Sequence, residues 1–164
     1  MLTFHDHTPA SPSRERATMG GGAGDPPLMP VLAVTLSMGR DIAARLPRLE
    51  AYVSRHAPVP LSRHPAWLDT LARGLGHHPY LLEADAGGEL RGFLPLAYVR
   101  SLLFGRILAS LPYLNYGGVF AEDEETARLL IDRAVELAAS LGTRYLELRH
   151  SGHAIEHTRR STKR

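Results

Sequence analysis

Two segments of this sequence hold side chains better suited to binding than to packing. The first is Ser110-Leu111-Pro112-Tyr113-Leu114-Asn115-Tyr116-Gly117-Gly118. Tyr113 and Tyr116 each carry an apolar ring with a polar tip, and Asn115 can donate and accept hydrogen bonds at once. Gly117 and Gly118 permit close backbone approach and positive φ. Together they describe a pocket lined by backbone amides, with neutral hydrogen-bonding side chains around it. The second segment is Tyr145-Leu146-Glu147-Leu148-Arg149-His150. Strand alternation there puts Glu147 and Arg149 on one face, where Arg149 binds an anion if the face lines a cleft. The structural alternatives are a turn whose tyrosines cap the core and a surface ion pair worth little.

Other reactive groups are less organised. His77 and His78 are adjacent, which suits a solvated loop better than chelation of one metal. His150, His153 and His157 would share a face only in a helix, and Ser151-Gly152 argues against one. No metal site is expected. The chain lacks a G-x-S-x-G elbow, so a serine hydrolase is not supported, and Ser110 reads as an ordinary strand residue. Gly20-Gly21-Gly22 has neither a preceding strand nor a following Lys-Ser/Thr, so it is not a phosphate loop.

The elements that must position these residues can be read from periodicity. Residues 1–30 are rich in Pro, Ser and Gly and predict disorder, with Met19 or Met29 as alternative starts. Val31 to Leu36 is β-branched and apolar, a strand. A helix follows over 47–56, with Pro47 in its first turn and Leu46, Leu49 and Val53 on one face. A second helix begins at His64-Pro65, buries Trp67, Leu68, Leu71, Ala72 and Leu75, and stops at Gly76. Residues 80–84 and 90–99 form a hairpin around Asp85-Ala86-Gly87-Gly88, with Pro95 at a bulge or an edge. Residues 106–111 form another strand. Acidic Glu122 to Glu125 opens a helix with Ala127, Leu130, Ala134, Leu137, Ala138 and Leu141 at helical spacing, capped by Gly142. Tyr145 to Leu148 is the last strand. The order β-α-α-β-β-β-α-β gives an α/β fold with a mixed sheet containing at least one parallel pair.

Composition excludes several classes. The chain has 164 residues, 44% hydrophobic and 22% charged, enough for one domain with one real core. A net charge of +2 makes no demand for DNA or a membrane surface. Cys is absent, which removes disulfide and thiolate chemistry and fits a cytoplasmic location. No apolar run is long enough to span a bilayer, and residues 1–30 lack the apolar core of a signal peptide.

Several short motifs occur in a fixed order: His64-Pro-Ala-Trp67, Gly74-Leu-Gly-His77 with Pro79-Tyr80, Gly92-Phe-Leu-Pro-Leu96, Phe104-Gly-Arg106, Ser110 to Gly118, and Glu147-Leu-Arg-His150. In that order the chain resembles the FemAB-like acyltransferases, in the branch associated with PEP-CTERM/exosortase systems. The resemblance covers about residues 31–150. It implies a lobe of the acyl-CoA N-acyltransferase (GNAT-like) fold, acting in cell-envelope or exopolysaccharide biosynthesis. It implies an amine-bearing acceptor and either acyl-CoA or aminoacyl-tRNA as donor. Catalysis in such a lobe would rest on positioning and on amides that polarise the acyl carbonyl. Tyr113, Asn115, Tyr116, Gly117, Gly118, Arg149 and His150 are the substrate-binding candidates; no catalytic residue is singled out. Arg149-His-Ser-Gly152-His-Ala154 also fits the loose R-x-x-G-x-A pattern of the acetyltransferase phosphate loop, but no helix follows it.

Such families carry two lobes, so residues 151–164 read as the start of a missing second lobe. The resemblance therefore predicts a truncated product, weakly active or inactive alone, with exposed apolar surface and a tendency to self-associate or to bind a second-lobe chain. The alternative is a non-catalytic interaction domain, or half of a split enzyme, that binds a partner through a sheet edge.

Overall fold

Gly39, at φ 58°, ends the first strand and turns the chain straight into a helix. The computed structural model describes residues 30–56, 64–101, 105–112 and 117–149. Residues 1–29 of the expected leading segment 1–30, the expected tail 151–164, the histidines within them, and Tyr113, Asn115, Tyr116 and His150 lie outside the described residues. Strand β1 is Leu32–Met38 and helix α1 is Asp41–Arg55. Helix α2 is Trp67–Leu75, and strands β2 and β3 are His78–Ala86 and Glu89–Ser101. Strand β4 is Gly105–Ala109, β5 is Phe120–Ala121, α3 is Glu124–Ser140 and β6 is Tyr145–Glu147.

The architecture is a mixed α/β fold around one sheet in the order β1-β2-β3-β4-β6, with β5 also paired to β3. All pairs are antiparallel except β4 with β6, which is parallel and is bridged by α3. The expected βαβ unit is therefore present. The β2–β3 turn closes on Gly87 and Gly88, both at positive φ, as a two-residue hairpin requires. A register shift at Ala84/Asp85 leaves Arg91 as the extra residue.

Two apolar layers sandwich the sheet. On one face Leu82, Leu94, Leu96 and Leu108 pack under Leu130, Ile131, Ala134 and Ala138 of α3. On the other, Leu81, Phe93 and Ala97 pack under Leu49 and Tyr52 of α1 and Leu68 and Leu71 of α2. Glu83 points into this second layer and is fully buried. Its Oε2 accepts from Arg45 Nε at 2.6 Å, and Oε1 lies 3.5 Å from Arg48 Nη1, short of a hydrogen bond. Arg48 also pairs with Asp85. A buried carboxylate of this kind adds little net stability but is costly to strand, so it fixes where α1 lies on β2.

Several expectations need correction. The turn expected over 85–88 is Gly87-Gly88 alone, because Asp85 and Ala86 stay paired in β2 with Leu90 and Glu89. Helix α1 starts six residues before Pro47, which lies inside it. The missing Pro47 N–H leaves the carbonyl of Ala43 without its helical donor, and burial of Ile42 and the Arg45–Glu83 bond hold the early turn despite that. Helix α2 starts at Trp67, because His64 and Pro65 form the turn before it, and its last residue Leu75 is exposed. The strand expected over 106–111 ends at Ala109. The last strand ends at Glu147, not Leu148.

Other readings hold. Gly76 caps α2 in the left-handed conformation. Helix α3 opens at Asp123, whose carboxylate accepts from Thr126 N–H at 2.7 Å. That bond holds the Asp123 carboxyl below its ordinary range. A depressed folded value gives stability above the unfolded pKa that is lost as pH falls through the folded one. Asp123→Ala is expected to cost about 1 kcal/mol at neutral pH. The difference from the wild type should shrink below about pH 4, as urea melts across pH will show.

Candidate functional site

Strands β4 and β5 are two pieces of one line. Both run antiparallel to β3: Ala109 lies opposite Ala97, and Phe120 lies opposite Phe93. The chain leaves the flank of β3 at the end of β4 and rejoins it at β5, with residues 110–119 between. Residues 94–96 of β3 have no strand on that flank among the described residues, and Pro95 lies there. This satisfies the edge expectation for a residue without an N–H. Where β5 rejoins, the approach is tight: a Cβ on Gly92 would lie 2.6 Å from the Phe120 carbonyl oxygen. The rings of Phe93 and Phe120 stack there at 4.8 Å.

The parallel partner β6 runs past the exit of β4. Register pairs Ile107 with Tyr145, Leu108 with Leu146 and Ala109 with Glu147. One more regular bond follows, from Ser110 N–H to the Glu147 carbonyl at 2.8 Å. A continued parallel ladder would next send Arg149 N–H to the Ser110 carbonyl. It goes instead to the Ser110 hydroxyl, at 2.8 Å. The chain leaves the ladder at the next residue, where Leu111 takes φ 38°, a left-handed conformation uncommon outside glycine. Ser110 and Leu111 are both fully buried.

The far side of the break is held by Gly117. Its N–H donates to the Arg149 carbonyl at 3.2 Å. A Cβ there would lie 2.5 Å from Leu111 Cβ, so a side chain cannot be added without moving one of them. Gly117 is thus needed for closeness, while the left-handed turn of this segment falls on Leu111. Gly118 is buried beside it.

Of the candidates expected from sequence, the structure brings Gly117 and Arg149 into direct contact and buries Gly118. Tyr113, Asn115, Tyr116 and His150 lie outside the described residues. The Arg149 side chain bonds Glu147 Oε1 at 2.8 Å, and both are partly exposed, the geometry of the surface pair considered above. Ser110 was expected to be an ordinary strand residue. It instead lies beyond β4, and its hydroxyl links the two strand exits. Local sequence carries no signal for a bond to a residue 39 positions away.

A second polar group was not expected either. It lies where α1 ends, beside the residue that follows β5. His56 Nδ1 lies 2.8 Å from the Tyr52 carbonyl, which can only accept, so that nitrogen carries the proton. His56 Nε2 then faces Glu122 Oε1 at 4.0 Å. Glu122 is held in turn by Arg91 Nε at 3.0 Å. Tyr52 donates to the Arg91 carbonyl at 3.0 Å, and burial pushes its hydroxyl up to about 12, so it stays protonated. A histidine oriented by a carbonyl and set beside a carboxylate has the form of an acid–base group.

No family model matches the chain, and no curated protein does. Several solved structures are similar to it. One is a ribosomal-protein-alanine N-acetyltransferase from Brucella melitensis biovar Abortus 2308, 18% identical, covering 74% of this chain and 81% of that one at a TM-score of 0.49. Another is a probable acetyltransferase, 18% identical, covering 76% and 81% at a TM-score of 0.44. A third is a predicted acetyltransferase with acetyl-CoA from Clostridium acetobutylicum, 10% identical, covering 79% and 95% at a TM-score of 0.44.

Ser110→Ala removes the acceptor of a part-buried N–H and should cost about 1 kcal/mol in urea unfolding. Ser110→Thr keeps the hydroxyl, so it should recover part of that loss. Equal stability of the wild type and the alanine variant would show that the hydroxyl bond contributes nothing.

Proposed function

We propose that this chain is an acyl-transfer lobe that holds its donor where β4 and β6 part. The observation that carries the reading is the break between β4 and β5, with Ser110, Gly117 and Arg149 tied across it. Where parallel strands separate at their carboxyl ends, a thioester or ester donor can lie between them. The Ser110, Gly117 and Arg149 amides are already bonded within the chain and fix the walls of the break, so in this reading another amide of residues 111–119 meets the acyl oxygen, which gains charge as an amine attacks. The reaction forms an amide bond, expels the thiol or alcohol of the donor, and moves one proton from the amine to the leaving group.

Ser110 serves as a positioning residue rather than a nucleophile, because its buried hydroxyl already accepts from the backbone.

The finer reading is a FemAB-like transferase of the PEP-CTERM/exosortase branch acting in envelope or exopolysaccharide synthesis. Its support is the ordered set of sequence motifs from His64 to His150. Under this reading the donor is acyl-CoA or aminoacyl-tRNA and the acceptor is an amine. Under it Tyr113, Asn115, Tyr116, Gly117, Gly118, Arg149 and His150 are the substrate-binding candidates.

Calorimetry tests the reading. Saturable heat is expected with an acyl-CoA or an aminoacyl-tRNA, and none with the free acid. Absence of heat with both donor classes would overturn the proposal.

A further inference from the structure

The outer side of β1 faces no other strand among the described residues, since β1 is the first strand of the sheet and pairs inward with β2. A free edge of this kind presents a row of backbone donors and acceptors that can pair with another chain. Edge strands are normally blunted by charge, by proline, by a bulge or by shortness. β1 has none of these. Its seven residues, LAVTLSM, include no charged residue and no proline. Its register with β2 runs unbroken from Leu32 opposite Ala86 to Met38 opposite Tyr80. Large apolar side chains stand exposed at both ends, Val31 at 83% and Met38 at 51%. The opposite flank is different: β6 has only three residues and carries the Glu147–Arg149 pair at its end.

We propose that the outer edge of β1 pairs with β1 of a second copy of this chain, antiparallel, across a two-fold axis at Thr35. The choice of a second copy rests on the self-complementarity of the strand. Leu32, Val34 and Leu36 pack toward the layer under α3, whereas Ala33 and Thr35 are exposed on the other face. With the axis at Thr35, Val34 falls opposite Leu36, Leu32 opposite Met38, and Ala33 opposite Ser37. Apolar residues meet apolar ones on the α3 side, and small or hydroxyl residues meet on the α1 side. A slip of one residue would put the α3 face of one copy level with the α1 face of the other and lose this match. The first charges, Arg40 and Asp41, lie beyond the paired stretch and bring no like-charge contact into it. The result is an isologous dimer with a sheet continuous through both copies. It stands independently of the acyl-transfer reading.

The chain contains no cysteine, so Thr35→Cys gives it a single thiol at the proposed axis. Directly opposed antiparallel residues have Cα atoms about 4.5–5.5 Å apart, within the range of about 4.4–6.8 Å that a disulfide spans. The corresponding Ala33 positions would be about 14 Å apart. The full chain is expected to sediment as a dimer that dissociates on dilution. Thr35→Cys should link covalently on mild oxidation, and Ala33→Cys should not. Thr35→Lys and Thr35→Glu should each be monomeric with an unchanged circular dichroism spectrum, and should dimerise when mixed. A monomeric wild type would overturn the proposal, including the case in which residues preceding β1 cover the edge. So would a dimer in which Thr35→Cys fails to link, or in which both cysteine variants link equally.

Discussion

The hydroxyl of Ser110 takes over a hydrogen bond that the Ser110 carbonyl would make in a regular parallel ladder, and the geometry of the site depends on that exchange. Because the hydroxyl reaches Arg149 N–H, the backbone is free to turn at Leu111 without stranding a part-buried donor. Because Leu111 turns, Gly117 can return against it and bond the Arg149 carbonyl. One side chain thus lets β4 stop, holds β6 in register, and sets both edges of the opening. A positive φ on a buried leucine costs free energy, and such strain persists only where the surroundings over-determine it. Here they do, through Ser110 on one side and Gly117 on the other.

The remainder of the fold supplies a rigid frame for this opening. Helix α3 bridges the parallel pair and buries Leu130, Ile131 and Ala134 against Leu108 of β4 and Leu94 and Leu96 of β3. On the other face α1 is fixed by the Arg45–Glu83 bond as well as by Leu49 and Tyr52. Fixing α1 also fixes His56 at its end, since His56 bonds the Tyr52 carbonyl and Tyr52 donates to Arg91 of β3. Arg91 in turn holds Glu122 just after β5. Two ends of the interrupted strand are therefore anchored separately, β4 through Ser110 to β6, and β5 through Glu122 to Arg91 and His56.

Much of the frame could be read in the sequence. Gly76 and Gly142 mark helix ends, Gly87-Gly88 marks the hairpin, and the spacing of Leu130, Ala134 and Ala138 marks α3, because each signal is local. What escaped was non-local. Pro47 suggested a helix start, yet α1 begins at Asp41 because a salt bridge to a strand about 40 residues on secures its first turns. Strand β5 has two residues, too few for any periodicity, and exists because Gly92 lets it come close. Residues 110–118 and 145–150 stand out locally, through their aromatic, amide, glycine and charged side chains. The role of Ser110 came from its partner across the sheet, and the His56–Glu122 pair joins residues that share no motif.

Hydrogen exchange of the Arg149 amide tests this account most directly. The residue lies beyond the end of β6, where a frayed terminus would exchange nearly as fast as an unstructured peptide. If the Ser110 hydroxyl holds it, the Arg149 N–H will be protected in the wild type to a level comparable with the amides of β4. That protection will fall selectively in Ser110→Ala while the β4 amides keep theirs. Rapid exchange of Arg149 in the wild type would contradict the account, as would protection that survives loss of the hydroxyl.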